Sequence, residues 1–491
     1  MTQEDSLSAA DAGAREVDDP PMSMTTPMSA STQTGTAAMP RAARQSPASA
    51  GSAAEAPARP DLDELLSAIP DGDPGAVVAM PDDESAAFFN DNLVHELELS
   101  VAPDDLALID SDPAAELYVD ADLQVDGESL GTVGLRYKGS AGAFLAPCTA
   151  ATLPGQMRGP KQGKCSMKLD FDRVNTDQRL HGLKKLNLHA MGRDPSMLRE
   201  QLGYSLFREM GVATPRTTYA RVVINGQLEG LFLGVEQIDG RFTRARFTEG
   251  GKGNVYKEVW PNTMDPGRFR SALTTNEDDD DTSVASILAF AVAAQLEPQS
   301  ALRWLDRQYM LHYIAVDRMI LNDDGAFRWY CFTLFGFDLG LGFNHNFYWY
   351  ESPVGLKMWL IPWDLDLSFA GAERTWIDRD WRDASRCECH TAELDVPASA
   401  QRAPACDPLT GEIASWLDDY DEAVDELLAG PLSGEAVDDK LLHWSDLIAP
   451  AVQEAAGVKS APDESQWQDA VSELRSVINH ARETRGQWPG R

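Results

Sequence analysis

Between Leu117 and Glu236 the chain is punctuated every few residues, and this spacing constrains the fold more than any other feature. Leu117–Val125 alternates apolar and polar residues, Asp126-Gly127 supplies a turn, and Thr132–Lys138 continues the run. A two-residue period puts one side of a segment on a core and predicts strands. Met167–Phe171 and Leu183–Leu188 read as further strands. Asp194 then offers an N-cap, Pro195 fits the first helical turn, and Leu198, Leu202, Leu206 and Met210 recur every fourth residue before Gly211. Thr218–Ile224 and Leu231–Val235 follow as strands joined by the hairpin dipeptide Asn225-Gly226. After about residue 284 the pattern is mostly helical, with a long amphipathic stretch at Ala301–Leu321 and surface helices at 412–430 and 461–487. The expected class is α+β, with a strand-rich portion at 88–245 holding one central helix and a mostly helical portion at 246–491.

Residues 1–80 are rich in Ala, Ser, Thr, Pro, Met and Gly and nearly lack aromatics. Such a segment buries too little apolar surface to offset its ordering entropy, which predicts a disordered, low-complexity leader. Glu277–Asp281 predicts a solvated acidic loop. Asp and Glu number 78 against 42 Lys and Arg, a net charge of −36. That balance excludes duplex nucleic acid as a general partner and favours basic segments and cations. The longest apolar run, Val284–Leu296, falls short of the roughly 18–20 residues a bilayer requires and reads as a buried helix, so no membrane span is expected. The opening Met-Thr-Gln-Glu-Asp has neither the basic nor the apolar region of an export signal, and the compartment stays open. The six cysteines leave three states open. Cys387-Glu388-Cys389-His390 with Cys406 suggests zinc; Cys148 with Cys165 and the Cys387–Cys406 loop suggest disulfides; the third state is free thiols.

Chemistry concentrates in Ile361-Pro-Trp-Asp-Leu-Asp-Leu-Ser-Phe369. Asp364 and Asp366, two residues apart in an apolar run, repel each other unless a cation lies near, and a hard divalent ion prefers such oxygen ligands. The strand-rich portion followed by a helical one is also the layout of a two-lobed, protein-kinase-like fold. Phosphoryl transfer needs cations on the phosphates, a divalent metal and a carboxylate to orient the acceptor. Asp324, at the turn closing a long helix, is the candidate base; Asn346 and Asp364 are the candidate metal ligands, in the chain order of a kinase. Lys138-Gly139, ending a strand in a small loop, and Lys168 on the return strand are candidates for the nucleotide, as is Glu236 where a hinge would meet the base.

Several segments, taken in order, resemble the spore coat protein H (CotH) kinase family. They are Val133–Ser140, Ser166–Phe171, Leu183–Leu188, Asp194–Glu200 with Tyr204 and Gly211, Gly230–Asp239, Gly253–Lys257, Asp323-Asp324-Gly325, Asn346-Phe347 and Ile361–Asp366. The resemblance spans roughly residues 92 to 370. It implies an atypical kinase fold, with a strand-rich N-lobe and a mostly helical C-lobe, that transfers phosphate from ATP to protein serines with Mg²⁺ or Mn²⁺. It places the catalytic aspartate on Asp324, the metal-binding aspartate on Asp364 and the intervening asparagine on Asn346. Lys168 and the Lys138-Gly139 turn match on the nucleotide side, and Glu200 falls where an ion-pair glutamate sits on the helix. The family's usual Trp-Asp-Gly is replaced by Asp323-Asp324-Gly325, so Asp323 stands beside Asp324 as the other possible base. The resemblance implies a Ser-rich protein substrate, and the acidic charge points to a basic one. The alternative is a catalytically inactive, kinase-like scaffold of a spore coat or surface layer.

Overall fold

The computed structural model describes residues 61–67, 72–73, 75–139, 144, 147–150, 159–248, 251–276, 282–334, 337–369, 387, 390–391, 400–416 and 418–485. Seven strands form a closed barrel: β1 (Val94–Val101), β2 (Val119–Val125), β3 (Glu128–Tyr137), β4 (Met167–Asp170), β5 (Lys185–His189), β6 (Thr217–Ile224) and β7 (Gln227–Glu236), in the order β1-β2-β3-β4-β5-β7-β6. All neighbours are antiparallel except β1 and β6, whose parallel pairing closes the ring. Asn225 and Gly226 take positive φ of 50° and 74°, the conformation a tight hairpin between β6 and β7 demands. The Asn225 side chain also secures the closure: its Oδ1 accepts from Val101 N (2.8 Å) and its Nδ2 donates to Val101 O (2.9 Å).

Alternate residues of these strands, among them Leu99, Leu123, Leu135, Leu169, Leu188 and Val222, share one apolar core. Along β2 the other face is exposed, which gives the clean alternation seen in the sequence. Along β4 and β5 every residue is buried, and the outward face carries polar side chains: Lys168 and Asp170 on β4, Lys185, Asn187 and His189 on β5, with Arg136 alongside on β3. Arg136 pairs opposite Lys168, and Lys168 opposite Asn187, so they form one row across three strands.

A second core joins the helix Arg199–Glu209, the outer faces of β6 and β7, and the rest of the chain. Its helices include Ala285–Leu296, Arg307–Met319, Tyr420–Ala429, Gly434–Ala455 and Glu464–Glu483. Ala285–Leu296 is the buried helix expected from its apolar run, and no helix of the described residues is long and apolar enough to cross a membrane.

The C-terminal portion departs from the mostly helical expectation. It holds a three-stranded sheet of β8 (Asn254–Lys257), β11 (Phe347–Glu351) and β12 (Met358–Pro362), and a four-stranded one of β9 (Trp329–Leu334), β10 (Phe337–Phe343), β13 (His390–Thr391) and β14 (Ala400–Arg402). β11 and β12 are buried on both faces, so their aromatic runs show no alternation to read. The helix expected from Asp194 begins at Arg199 instead. The Asp194 carboxylate caps a preceding turn, accepting from Ser196 N (3.0 Å) and Arg199 N (2.8 Å). The expected leader ends earlier than residue 80: the helix Leu62–Ser67 lays Leu62, Leu65 and Leu66 on the second core, and Val77 bridges to Phe247. Residues 1–60 and the acidic run 277–281 lie outside the described residues. Cys148 is bonded to Cys165 and Cys387 to Cys406, so these four cysteines take the disulfide reading and not the zinc one.

Candidate functional site

Strand and helix ends converge where the polar face of the barrel meets the second core. β3 runs out into Lys138 and Gly139, β5 ends on His189, and the helix Arg199–Glu209 presents Glu200 in its first turn. Lys138 Nζ lies 2.9 Å from His189 Nε2, and His189 Nδ1 lies 2.8 Å from Glu200 Oε1. The imidazole thus stands between the lysine and the glutamate. Lys138 also sits over the Trp363 ring, 5.0 Å from its centroid, while Trp363 packs edge-on against His189. Lys168 lies on the same barrel face as Lys138, two residues along its neighbouring strand. The Gly139 N–H donates to Glu116 Oε1 (3.0 Å), whose other oxygen pairs with Arg136 at 2.8 Å.

From the opposite side come Asp324, Asn346 and Asp364. The helix Arg307–Met319 ends through Leu321, at φ 53°, into the turn Asn322–Gly325. Asn346 (φ 59°) precedes β11, and Asp364 (φ 51°) follows β12. These are left-handed conformations that cost non-glycine residues energy and are held only where the surroundings fix them. The pairing of β11 with β12 sets Asn346 O against Trp363 N at 3.1 Å, which delivers Asn346 beside Asp364. Asn346 Nδ2 donates to Asp324 Oδ2 at 3.0 Å. The Asp364 N–H donates to the Tyr204 hydroxyl (3.0 Å), and its carboxylate, 39% exposed, lies 3.8 Å from His189 Nδ1.

The electrostatics follow from crowding in a desolvated place. Burial pushes Asp324 up to about 6, with the Asp364 and Glu258 carboxylates adding to the rise against His345 and Tyr330. Burial and the charges of Asp364, Glu200 and Asp324 hold Asp366 well above the carboxylate range. Glu200 is raised to about 8 by burial, against Lys138, the Leu365 backbone and Tyr204. His189 is lowered to about 3 by burial and then by Lys138 and Lys257, so its ring is neutral between the lysine and the glutamate. Three enclosed carboxyl groups crowded against the more exposed Asp364 form a donor set that a divalent cation prefers. His189, Glu200 and Asp364 place one ligand atom each within 4.8 Å of one another.

The expected residues therefore gather, with one exception. Asp324, Asn346, Asp364, Lys138 and Gly139 border the site, and Lys168 lies on its barrel wall. Glu236 does not join them: its carboxylate takes Arg216 Nη2 at 2.7 Å and Arg246 Nη2 at 2.5 Å in the interior. Burial raises it, and Arg246 and Arg216 more than offset this, holding it at about 2. Its neighbour Gln237 accepts from Asn187 Nδ2 at 3.1 Å, on the polar face of the barrel. Asp323 is engaged with Arg328 (2.6 Å), while Asp324 faces Asn346. Tyr204 was named only as part of the resemblance, and His189, Glu258 and His345 were not singled out. His345 could have been, since it sits within Asn344-His345-Asn346; a lone histidine ending a strand carries no such signal.

The family model for CotH kinase proteins matches residues 142–485. Inner spore coat protein H of Bacillus subtilis (strain 168) is 23% identical over 198 residues, 38% of this chain and 51% of that protein. An inner spore coat protein H-like protein of the same organism is 36% identical over 63 residues, 13% of this chain and 20% of that protein. The chain thus spans about half the length of the first of these curated relatives and about a fifth of the second.

Proposed function

Since the chain belongs to the CotH kinase protein family, we propose that it is an atypical protein serine kinase with two kinase-like lobes, the barrel and the mixed helical and sheet-bearing half that follows it. The observation that carries this reading is the Asn346–Asp324 hydrogen bond beside Asp364, opposite Lys138. The site takes ATP with Lys138, and Lys168 behind it, facing the phosphates. Asn346 and Asp364 hold Mg²⁺ or Mn²⁺, which neutralises phosphate charge when bound. The acceptor serine Oγ forms its bond to the γ-phosphorus as the bond from that phosphorus to the β–γ bridging oxygen breaks. The serine proton passes to the Asp324 carboxylate, and ADP leaves. Asp324, near 6, is mostly ionised at neutral pH and is still basic enough to take that proton. His189 and Glu200 fix the lysine, so little reorganisation is needed when the nucleotide arrives.

Radiolabelled ATP with each metal, on the wild type and on Asp364→Ala, tests the proposal. Label should enter a basic, Ser-rich acceptor with the wild type only. A folded Asp364→Ala protein that labels the acceptor as fast as wild type sinks it. The names of the two relatives support a second reading, a non-catalytic coat scaffold. That reading expects no rise in Tm on adding ATP and metal, whereas the kinase reading expects one.

A further inference from the structure

A cavity of about 550 Å³ lies away from the Asp324–Asp364 cleft. It is bounded by the barrel edge at Lys164, the segment Ala190–Met197, and the C-terminal stretch from Lys459 to Glu473. Three features distinguish it. Lys164 is buried at its floor, stacked over Phe232 at 4.4 Å and donating to the Leu231 carbonyl, and burial, against the nearby Glu229, lowers it to about 7. Lys459, whose ammonium is ion-paired with the buried Glu229 carboxylate, and Arg193 add two more basic side chains. Four non-glycine residues that line it are in the left-handed region: Met191 (φ 53°), Met197 (60°), Lys459 (48°) and Ser460 (68°). Backbone held this way persists only where the surroundings over-determine it, and such positions cluster at active sites and ligand clamps. The outer wall is of opposite sign: Asp469 and Glu473 stand exposed one turn apart on the helix Glu464–Glu483. Asp194, the third acid at the cavity, is committed to Ser196 and Arg199.

A cationic floor beside an acidic wall suits a ligand that carries an anion and a cation side by side. The geometry points to a docking site for a phosphoserine flanked by lysine or arginine, with the phosphate on Lys164, Lys459 and Arg193 and the basic neighbour on Asp469 and Glu473. The choice of phosphoserine rests on the proposed kinase reading, because such a segment is that enzyme's own product. The site also communicates with the cleft. Ala190–Met197 leads directly into the helix bearing Glu200. The Trp467 indole clamps the same segment by donating to Ser196 O at 3.0 Å. A serine already phosphorylated is held here while a neighbouring serine reaches Asp324.

Isothermal titration calorimetry on the full chain, without ATP or metal, tests this with a lysine-flanked phosphoserine peptide, its unphosphorylated twin and inorganic phosphate. The phosphopeptide should bind at least tenfold tighter than the twin and than inorganic phosphate. Arg193→Ala, on an exposed side chain, and Lys459→Ala should each weaken it about tenfold. Asp469→Asn with Glu473→Gln should bring its affinity down toward that of inorganic phosphate. Equal affinity for the two peptides overturns the site, and equal affinity for phosphopeptide and inorganic phosphate overturns the acidic wall's role. Binding that survives Arg193→Ala and Lys459→Ala but is lost in Lys138→Ala places the peptide in the catalytic cleft instead. Because no turnover is measured, an inactive protein that still binds the phosphopeptide separates this site from the kinase proposal.

Discussion

Asp324 and Asp323 are chemically identical neighbours, and their partners separate them. Asp324 accepts from Asn346 in the cleft, whereas Asp323 pairs with Arg328 and receives the Tyr330 hydroxyl on its carbonyl. Asp324→Asn should therefore lower phosphoryl transfer by about 10²–10⁴-fold with the fold intact. Asp323→Asn should chiefly lower Tm, and equal losses of turnover in both would refute the assignment. His189 yields a second contrast. Its neutral ring accepts from Lys138 and donates to Glu200, a pair of roles that glutamine can fill and alanine cannot. His189→Ala should raise KM for ATP about tenfold or more, the worth of a hydrogen bond to a charged group, and His189→Gln should recover most of it. If Gln and Ala are equally impaired, the imidazole does something other than bridge. Asp324, Asn346 and Asp364 were legible because each sits in a short polar motif amid apolar residues. Glu236 misled because a glutamate at a strand end reads the same whether it meets a nucleotide or, as here, two buried arginines.

At the level of elements, six of the seven barrel strands were legible, while β1 and the second-half strands were not. β2 shows one face to water and writes a period of two into the sequence, whereas β11 and β12 are enclosed and write only a run of large apolar residues. The turn after the helix Arg307–Met319 depends on an equally hidden constraint. Asp317 Oδ1 accepts from Asn322 Nδ2 at 2.8 Å, and Asn322 Oδ1 in turn accepts from Asp324 N at 3.4 Å. A Cβ on Gly325 would meet Asn322 Nδ2 at 2.3 Å and Asp317 Oδ1 at 2.8 Å. Gly325→Ala must push Asn322 aside and with it the backbone that aims Asp324. Turnover should fall about 10²-fold, as a displacement near 1 Å does, with KM for ATP little changed. A Gly325→Ala enzyme whose loss is confined to KM for ATP would show that this turn does not set the position of Asp324.

For the whole molecule, buried carboxyl groups of opposite displacement set the pH range of stability. Glu236, ordinarily at 4.5, is held at about 2 by Arg246 and Arg216. Its contribution is complete above about 4.5 and is lost as pH falls toward 2. Glu351 is pushed by burial from 4.5 to about 7, and Asp317 by burial from 3.8 to about 7. Between those values the folded chain keeps protons that the unfolded chain has released, so this contribution is present at low pH and drains away as pH rises through 7. Together they place maximal stability near pH 5, with Tm falling toward both pH 3 and pH 8. The net charge of −36 tilts the curve the same way, since self-repulsion grows as surface acids ionise. Salt separates the two causes. Raising ionic strength from about 0.15 to 1 M shortens the screening length from about 8 to about 3 Å and quenches surface repulsion, while enclosed groups are screened far less. The fall in Tm from pH 5 to 8 should persist in 1 M salt for the wild type and shrink in Glu351→Gln. A decline that vanishes in high salt, or that Glu351→Gln leaves untouched, would assign it to the acidic surface and not to the interior.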